Sequence, residues 1–362
     1  MTDLFFELIR VAIGTQEGLS RLPSQKEWKA LYDMAKKQSL VGVCFAGLQR
    51  LGADADEGFA RIGISEMLYL TWMGMTAKIQ QKNQTVDEQC VALQKRLSAD
   101  GLRSCILKGL GVASLYSEHL LGLRQSGDID MLVDCDFNQA AEFVKEVSGK
   151  DVRWAYKDIS IPLFEDTEVE LHIKPGIMFN PFHNHTWQKW YKSNKDIVFI
   201  PTSGDSFSTP SIEFNLIYIL HHCYMHLFES GVGLRQFMDY YFVLKTSLLL
   251  NKENCLKVIE TLGMIRFAKG TMWIMQEVFG LEKDSLLIEP EESEGRFLLN
   301  EIMQSGNFGK HDDRFEHNTK NRKDKLKYFF KRSSILVRHY PQEALWMPWY
   351  FVWHYIMKQI KR

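Results

Sequence analysis

Residues 107–134 read LKGLGVASLYSEHLLGLRQSGDIDMLVD, and this stretch decides the fold of the chain. Its last part is predicted to be a β-strand, because apolar residues at alternate positions from Ile129 to Val133 form one face. Asp128 and Asp130 project together from the other face. Two carboxylates on one strand face can hold a pair of Mg²⁺ ions and, through them, phosphate oxygens. We therefore expect a metal site here.

The same stretch begins with a glycine turn. Residues 104–107 are a short β-prone run, Lys108 and Gly109 end it, and a helix is expected directly after the glycine. Backbone N–H groups are free at a helix N-terminus, the helix dipole attracts anions, and glycine permits close approach. This turn is predicted to bind phosphate.

Further strands are expected after this stretch. Residues 168–174, EVELHIK, alternate between apolar and polar positions, so that Glu168, Glu170 and His172 share one face. The other expected elements between 151 and 200 are two weaker strands (151–157 and 159–164), a connection carrying His183 and His185 (179–191) and a short strand (196–200).

Helices are predicted on both sides of this core. Ser24 and Glu27 form a capping box, Ser65 to Ala99 is one long helical pattern, and Thr209-Pro210 is read as the start of a helix. We therefore predict an α+β fold, a small mixed sheet with helical flanks. The predicted regions are a helical N-terminal region (1–100), a catalytic core (101–205), a helical domain completing the cleft (206–305) and a basic, aromatic-rich tail (306–362).

Composition narrows the class of protein. A chain of 362 residues with 45% hydrophobic residues can bury a sizeable core, and a net charge of −1 gives no general attraction to nucleic acid, so no DNA partner is expected. The acidic third residue argues against a signal peptide, and no apolar run has the length of a membrane span. Six cysteines without C-x-x-C spacing are typical of a reducing compartment, so a cytoplasmic location is expected.

The tail differs in charge from the rest. From Lys310 to Arg362 there are 13 Lys and Arg against 5 Asp and Glu, interspersed with Trp, Tyr and Phe. Three interpretations stay open: contact with RNA through stacking, contact with an anionic membrane surface, or a helix folded back with a basic outer face.

Three histidines fall on one predicted helix. His222 and His226 have the i, i+4 spacing of a zinc site, but the glutamate of H-E-x-x-H and a supporting cysteine cluster are both absent. We favour a buried polar network, or a lining of the cleft, formed by His221, His222 and His226 with Arg235 and Asp239.

Taken in order, the motifs resemble the nucleotidyltransferase superfamily related to DNA polymerase β. Within it they are most similar to the bacterial group of uncharacterised nucleotidyltransferases, whose pattern runs LKG, LY, R-x-S-G-D-I-D-L-L-V and then an acidic strand ending in LH. The resemblance covers about residues 100 to 250. The matching segments here are 107–109, 115–116, 124–133 and 170–172.

The resemblance implies an acidic triad. Asp128, Asp130 and Glu170 would be metal ligands and catalytic residues for two Mg²⁺ ions, and Glu170 would lie near the acceptor hydroxyl. Strand alternation and the LH that follows favour Glu170 over its acidic neighbours Glu168 and Asp166.

The resemblance also implies nucleotide-binding residues. The backbone of Gly109 would cradle the triphosphate, Lys108 and Arg124 would neutralise it, and Ser126 would donate a hydrogen bond to it. One departure stands out: Leu110 follows the glycine where serine or glycine is usual. Gly109 also precedes Asp128 by 19 positions, a spacing that predicts a longer helix between the two strands.

The implied activity is Mg²⁺-dependent transfer of an NMP from an NTP such as ATP to an acceptor hydroxyl, with release of pyrophosphate. The acceptor is left open among small molecules, sugars, proteins and RNA. The alternative is a nucleotide-binding or scaffold protein that kept the fold and lost turnover, which the missing serine motivates. A third hypothesis is a toxin-like or antitoxin-like enzyme that modifies a protein or a tRNA.

Overall fold

The computed structural model describes residues 1–53, 58–200, 206–315 and 322–360. It has an α+β fold in which a small mixed sheet is flanked by helices on both sides, as predicted. The strands are β1 (Ser104–Ile106), β2 (Ile129–Val133), β3 (Asp158–Ile161) and β4 (Val169–His172). The helices are α1 (Thr2–Ile13), α2 (Gln25–Lys37), α3 (Val41–Arg50), α4 (Gly58–Arg61), α5 (Glu66–Ala99), α6 (Leu110–Ala113), α7 (Phe137–Ser148), α8 (Pro181–Ser193), α9 (Ile212–Glu229), α10 (Leu234–Thr246), α11 (Lys252–Thr261), α12 (Ile265–Phe279), α13 (Glu292–Ser305), α14 (Arg322–Leu336), α15 (Pro341–Ala344) and α16 (Met347–Ile360).

The sheet has the strand order β1-β2-β4-β3. The two central strands, β2 and β4, run parallel, and each pairs with its outer neighbour in the antiparallel direction. A parallel pair needs a long crossover connection, which α7 and β3 provide here. The parallel register sets Asp130 directly opposite Glu170, so both acidic residues point to the same face of the sheet.

The two faces of the sheet belong to different hydrophobic clusters. Ile129, Met131 and Val133 pack with α7 and with residues of α5 such as Val86 and Leu93. Leu132, on the opposite face of β2, belongs to the main helical core instead. The strand is therefore buried on both sides, and Asp128, directly before it, lines a cavity.

The helices before and after the sheet share the main core. α1 packs against α3 and against α12, which lies more than 250 residues later in the sequence. Polar contacts join the same elements, since Arg10 donates to the carbonyl of Glu277 at 2.7 Å and Thr15 donates to that of Phe279 at 2.8 Å. The division into four regions stays a prediction.

Local signals place several helix starts correctly. The capping box of Ser24 and Glu27 begins α2, and Ser65 caps α5, which is a single helix of 34 residues. The predicted helix start at Thr209-Pro210 is wrong by two residues, because Ser211 is the N-cap and its side chain accepts from Phe214 N.

The predicted long helix between β1 and β2 is wrong. α6 has only four residues, and a 3₁₀ turn at Glu118–Leu120 follows it. The chain turns here because Tyr116 and Leu120 are both buried, and the Tyr116 hydroxyl donates to Asp239 of α10 at 2.7 Å. Burial of these side chains against a distant helix stabilises the chain more than extending the local helix α6 would.

Two expected strands are also absent from the described residues. Residues 196–200 begin in a 3₁₀ turn, Lys195–Ile197, and residues 151–157 form no strand, although β3 lies within one residue of the predicted start at Ile159. The segment with His183 and His185 is helical, since it forms α8, which Asn180 caps and Pro181 begins.

The described part of the tail contains the helices α14, α15 and α16. Phe329 of α14 stacks on Phe351 of α16 with ring centroids 3.5 Å apart. The predicted loop between 304 and 321 contains a 3₁₀ turn at Asn307–Gly309, and residues 316–321 of it lie outside the described residues. Among the described helices, none has the length and apolar character needed to cross a membrane.

Candidate functional site

Two acidic side chains meet at the centre of the sheet. Asp130 of β2 is 3% exposed, whereas its register partner Glu170 of β4 is about one quarter exposed. Possible ligand atoms of Asp130, Glu170 and His172 all lie within 4.8 Å of one another. In the described part of the chain this is the one group of three such residues close enough to hold a metal ion.

His172 bridges the two carboxylates. Its Nε2 lies 2.9 Å from Asp130 Oδ1 and 3.3 Å from Glu170 Oε2, and because carboxylates only accept, this nitrogen carries the proton. Burial by itself would lower the pKa of His172, but the hydrogen bonds to Asp130 and Glu170 outweigh it and raise that pKa. The imidazole therefore holds the two carboxylates in position.

Lys108 contacts the same acidic group. Its Nζ lies 3.0 Å from Asp130 Oδ2, and its backbone has a φ of +30°, which a non-glycine residue rarely adopts. Burial alone would lower the pKa of Lys108, but the charges of Asp130 and Asp128 raise it. In return, Lys108 and His172 overcome the effect of burial on Asp130 and lower the pKa of that carboxyl.

Asp128 lies one residue before β2 and is half-buried. It lines a cavity of about 220 Å³ together with Lys108, Glu170 and His172. The opposite wall comes mainly from α9 and from the turn after α13. The residues of that wall are Tyr218, His221, His222, Met225, His226, Glu229 and Phe308.

The neighbouring acidic residues lie elsewhere. Glu168 is exposed and precedes β4, and Asp166 is exposed and forms an ion pair with Lys82 at 3.5 Å. Of the three carboxylates considered from the sequence, Glu170 is the one that the fold brings beside Asp130.

Arg124 lies beneath the glycine turn. It forms a bidentate ion pair with Asp239 of α10, through Nε and Nη2 at 2.7 Å each. A Cβ placed on Gly109, whose φ is +51°, would lie 3.7 Å from the remaining nitrogen, Nη1. The pKa of Arg124 is raised, because the Asp239 charge outweighs burial. The guanidinium is thus fixed beside the turn by a partner on another helix.

The loop before β2 contains hydrogen-bonding groups without partners in the described chain. Ser126 Oγ and Gln125 Oε1 are both buried and make no hydrogen bond to a described residue. Arg235 donates to the carbonyl of Gln125, and burial and nearby Arg124 lower its pKa to about 10. The Ser126 hydroxyl is available to a bound group at this position.

The three histidines of α9 do not act as one network. His221 donates from Nε2 to the carbonyl of Ile177 at 3.1 Å and stacks on Trp187, and burial lowers its pKa to about 3. His222 and His226 line the cavity with ring centroids 4.3 Å apart, and burial lowers the pKa of both. The predicted joining of these histidines with Arg235 and Asp239 is wrong for Asp239, which pairs with Arg124.

Sequence reasoning named no role for several cavity residues. His172 had a usable signal, since alternation places it on the same strand face as Glu170. Tyr218 and Glu229 had a signal as well, because they lie on α9 at helical spacing with His222 and His226. Lys157 and Phe308 come from two other segments, and only the packing of those segments beside the cavity reveals them.

The donor set of the acidic group suits a hard divalent cation. Mg²⁺ prefers carboxylate oxygens, which Asp128, Asp130 and Glu170 provide, whereas an imidazole nitrogen suits softer metals. The proton on His172 Nε2 faces the carboxylates, so His172 fits better as a hydrogen-bond partner of the ligands than as a ligand itself.

Comparison with known proteins identifies a family for most of the chain. The model of a family described as uncharacterised nucleotidyltransferase matches residues 24–280. The matched region runs from the N-cap of α2 to just past α12, so it contains all four strands and the α9 wall of the cavity. No curated protein and no solved structure gives a match.

Proposed function

The chain belongs to the family of uncharacterised nucleotidyltransferases, whose general role is nucleotidyl transfer, and we propose that it is an Mg²⁺-dependent enzyme of that class. It moves an NMP from an NTP to an acceptor hydroxyl and releases pyrophosphate. The observation that carries this proposal is the parallel register of β2 and β4, which sets Asp130 opposite Glu170 beside a cavity that Asp128 also lines.

Asp128, Asp130 and Glu170 hold the metal in this proposal. Mg²⁺ held by these carboxylates would supply positive charge that stabilises the displacement at phosphorus. His172 keeps Asp130 and Glu170 aligned through its Nε2 proton. Glu170, the more exposed of this pair, accepts the proton of the acceptor hydroxyl as it attacks.

The glycine turn and the loop before β2 bind the triphosphate. Gly109 allows close approach of phosphate oxygens, Ser126 donates from its unpartnered hydroxyl, and Arg124 contributes positive charge beside the turn. The ammonium group of Lys108, 3.0 Å from Asp130 Oδ2, would be close enough to pair with a phosphate of an NTP bound beside the carboxylates.

The α9 wall faces the metal-binding carboxylates and contacts the acceptor. His222 and His226 are held neutral by burial, so they offer one donor and one acceptor each without adding positive charge. Neutral hydrogen-bonding groups and the Phe308 ring suit a polar, hydroxyl-bearing acceptor. Small molecules, sugars, proteins and RNA all carry such a group.

The test is pyrophosphate release and label transfer from each labelled NTP in the presence of Mg²⁺ and cell lysate. Asp128→Asn, Asp130→Asn and Glu170→Gln should each lower transfer about a hundredfold or more, because each removes a metal ligand. Glu168→Gln is the matched control on the same strand segment, since Glu168 is exposed outside the cavity. Wild-type turnover in folded Asp130→Asn protein would disprove the mechanism.

A second candidate is a nucleotide-binding protein without turnover. Two observations favour it: Leu110 occupies the position of the usual serine, and Lys108 and His172 already neutralise Asp130. Calorimetry with NTP and Mg²⁺, combined with the pyrophosphate assay, distinguishes the two candidate functions. Binding without pyrophosphate release across small-molecule, sugar, protein and RNA acceptors would establish the second candidate.

A further inference from the structure

One side of helix α9 carries a row of polar side chains that faces the cavity. His222, His226 and Glu229 follow one another at spacings of four and three residues, so they lie on the same side of the helix. All three line the cavity that Asp128 and Glu170 also line. We call these three residues the α9 polar row.

Glu229 is the acidic member of the row. Its carboxylate forms no hydrogen bond and no ion pair with a described residue, and burial raises its pKa, an effect that the charge of Lys157 only partly offsets. Lys157 is itself paired with Asp158 at 2.7 Å, and Lys108, which also lines the cavity, is paired with Asp130 at 3.0 Å. Glu229 therefore makes this part of the cavity suitable for a ligand that donates hydrogen bonds and carries no negative charge.

His222 and His226 are uncharged hydrogen-bonding groups. Nδ1 of His226 is buried without a hydrogen-bond partner in the described chain. The His222 ring lies 4.3 Å from that of His226 and 6.2 Å from that of Tyr218, between centroids. Burial lowers the pKa of both histidines, so each neutral imidazole offers one donor and one acceptor.

Apolar side chains share the cavity with this row. Ile177, Met225 and Phe308 line it, and the Phe308 ring lies 5.0 Å from that of His226. Sites for small molecules commonly combine apolar walls with a few polar groups that fix orientation. A ligand that matches these groups has several hydroxyls along its edge and C–H groups on its face, as a cyclic sugar does.

We propose that the acceptor of nucleotidyl transfer is a sugar without negative charge and that the α9 polar row binds it, an inference that rests on the proposed function. Glu229 accepts hydrogen bonds from sugar hydroxyls, and the two histidines bind further hydroxyls. Transfer forms a bond between one hydroxyl oxygen and the α-phosphorus of the NTP and breaks the bond from that phosphorus to pyrophosphate. The proton of that hydroxyl passes to Glu170.

The same chemistry argues against the other classes of acceptor. The end of an RNA chain brings phosphate groups, which Glu229 repels because Lys108 and Lys157 are already paired. A serine or tyrosine side chain of a protein brings one hydroxyl, so part of the α9 polar row would lose water without gaining a hydrogen bond, which costs free energy.

The experiment measures sugar binding and transfer separately on the full-length protein. Saturation-transfer NMR, with Mg²⁺ and an NTP analogue that cannot be cleaved between the α- and β-phosphates, compares glucose, galactose, mannose and N-acetylglucosamine with their 6-phosphates. We expect at least one neutral sugar to bind and its 6-phosphate to bind about tenfold more weakly, because Glu229 repels the added charge. Transfer to the same sugars is followed with NTP labelled at the α-phosphate.

Variants of the row test which residues bind the sugar. Glu229→Gln and His226→Phe should each weaken sugar binding about tenfold, since each removes a hydrogen-bonding group, and should leave calorimetric NTP binding unchanged. Glu213→Gln is the matched control, because Glu213 lies in the first turn of the same helix and does not line the cavity. The control should bind sugar as wild type does.

The outcomes distinguish this inference from the proposed function. Absence of binding by all four sugars would overturn the inference, as would equal binding by wild type and Glu229→Gln. Label that reaches RNA or protein but none of the sugars would also overturn it, while leaving nucleotidyl transfer in place. Sugar binding that Glu229→Gln weakens, without pyrophosphate release from a cleavable NTP, would support the sugar site and contradict the proposed transfer.

Discussion

At the residue scale, the sequence and the structure lead to different interpretations of Leu110. It follows Gly109 at a position where the superfamily that the sequence resembles usually has serine or glycine, so the sequence alone suggests weaker phosphate binding. In the structure its side chain is 7% exposed and packs in the cluster formed by α5, α7 and the sheet. The residue therefore contributes to the core, and in the proposed function the backbone of the turn and Ser126 provide the phosphate contacts.

Replacing Leu110 with serine should not improve nucleotide binding. The change removes buried apolar volume and leaves a hydroxyl without a partner, so we expect a loss of about 3 kcal/mol in the free energy of unfolding. Urea titration measures the loss, and calorimetry with NTP and Mg²⁺ should show unchanged or weaker binding. Ser114→Ala, at the exposed end of α6, is the control. Tighter binding by Leu110→Ser would contradict the assignment.

The buried histidine His221 makes stability depend on pH. Its pKa is lowered to about 3 in the folded chain, against about 6.5 when unfolded. Between those values the unfolded chain binds the extra proton, so the free energy of unfolding falls as the pH falls. His222 and His226 act in the same direction, because burial lowers the pKa of both.

His221→Gln should therefore reduce the slope of stability against pH. Glutamine can still donate to Ile177 but does not titrate, so the variant loses up to about a tenfold change in the unfolding constant per pH unit below pH 6. Urea midpoints from pH 8 to pH 4.5 provide the measurement. Parallel curves for the two proteins would show that His221 is not buried as a neutral group.

At the scale of elements, a buried polar contact joins the segment after the glycine turn to α10. Arg124 and Tyr116 both bind the carboxylate of Asp239, at 2.7 Å in each case, and all three side chains are buried. This contact fixes the segment that leads into Asp128 against the helical part of the molecule. The sequence suggested Arg124 as a phosphate ligand, whereas its two closest contacts are structural.

Removing one partner of the Arg124–Asp239 ion pair should lower the free energy of unfolding. Asp239→Asn leaves the buried guanidinium without its counter-charge, and we expect a loss of about 3–5 kcal/mol, against about 1 kcal/mol for Tyr116→Phe. Chemical denaturation measures both. The double variant Arg124→Met, Asp239→Leu should recover part of the loss, because no charge is then left unpaired.

The exposed pair Lys29–Asp33, at 2.9 Å, is the control for this prediction. Lys29→Ala should cost at most about 0.5 kcal/mol, since solvent screens both groups. A similar cost for the exposed and the buried pair would mean that the Arg124–Asp239 contact does not hold the turn.

At the scale of the whole molecule, the sheet depends on helices from outside residues 101–205. Val86, Cys90, Leu93 and Leu97 of α5 cover one face, and Leu132 on the other face belongs to the main helical core. That core joins α1 near the start of the chain to α12 and α15 near its end. Asp130 and Glu170 are thus held by a sheet whose two faces are covered by helices from other parts of the chain.

The fragment 101–205 should therefore not fold alone. Without α5 and α9 its strands expose both faces, so we expect no cooperative transition in urea by circular dichroism. The full chain should unfold with a sigmoidal curve under the same conditions. A cooperative transition in the fragment would support an independent catalytic core.

The sequence by itself determined the elements whose signals are local. Alternation identified β2 and β4, a capping box identified α2, and a long helical pattern identified α5. The ordered motifs also identified the family, because strand period and motif spacing do not depend on distant contacts. The surroundings of the carboxylates were not determined in this way, because they depend on segments that meet only after folding.

Only the tertiary structure decided which groups surround Asp130. The parallel pairing of β2 with β4 placed Glu170, which the sequence already favoured over Glu168, beside Asp130 and brought His172 between the carboxylates. The packing of α9 formed the opposite wall of the cavity, and Arg124 formed its ion pair with Asp239. The physical reason is that periodicity in a sequence specifies only the face of a helix or strand on which a side chain lies. The residues that this side chain contacts depend on which faces come together when the core is buried.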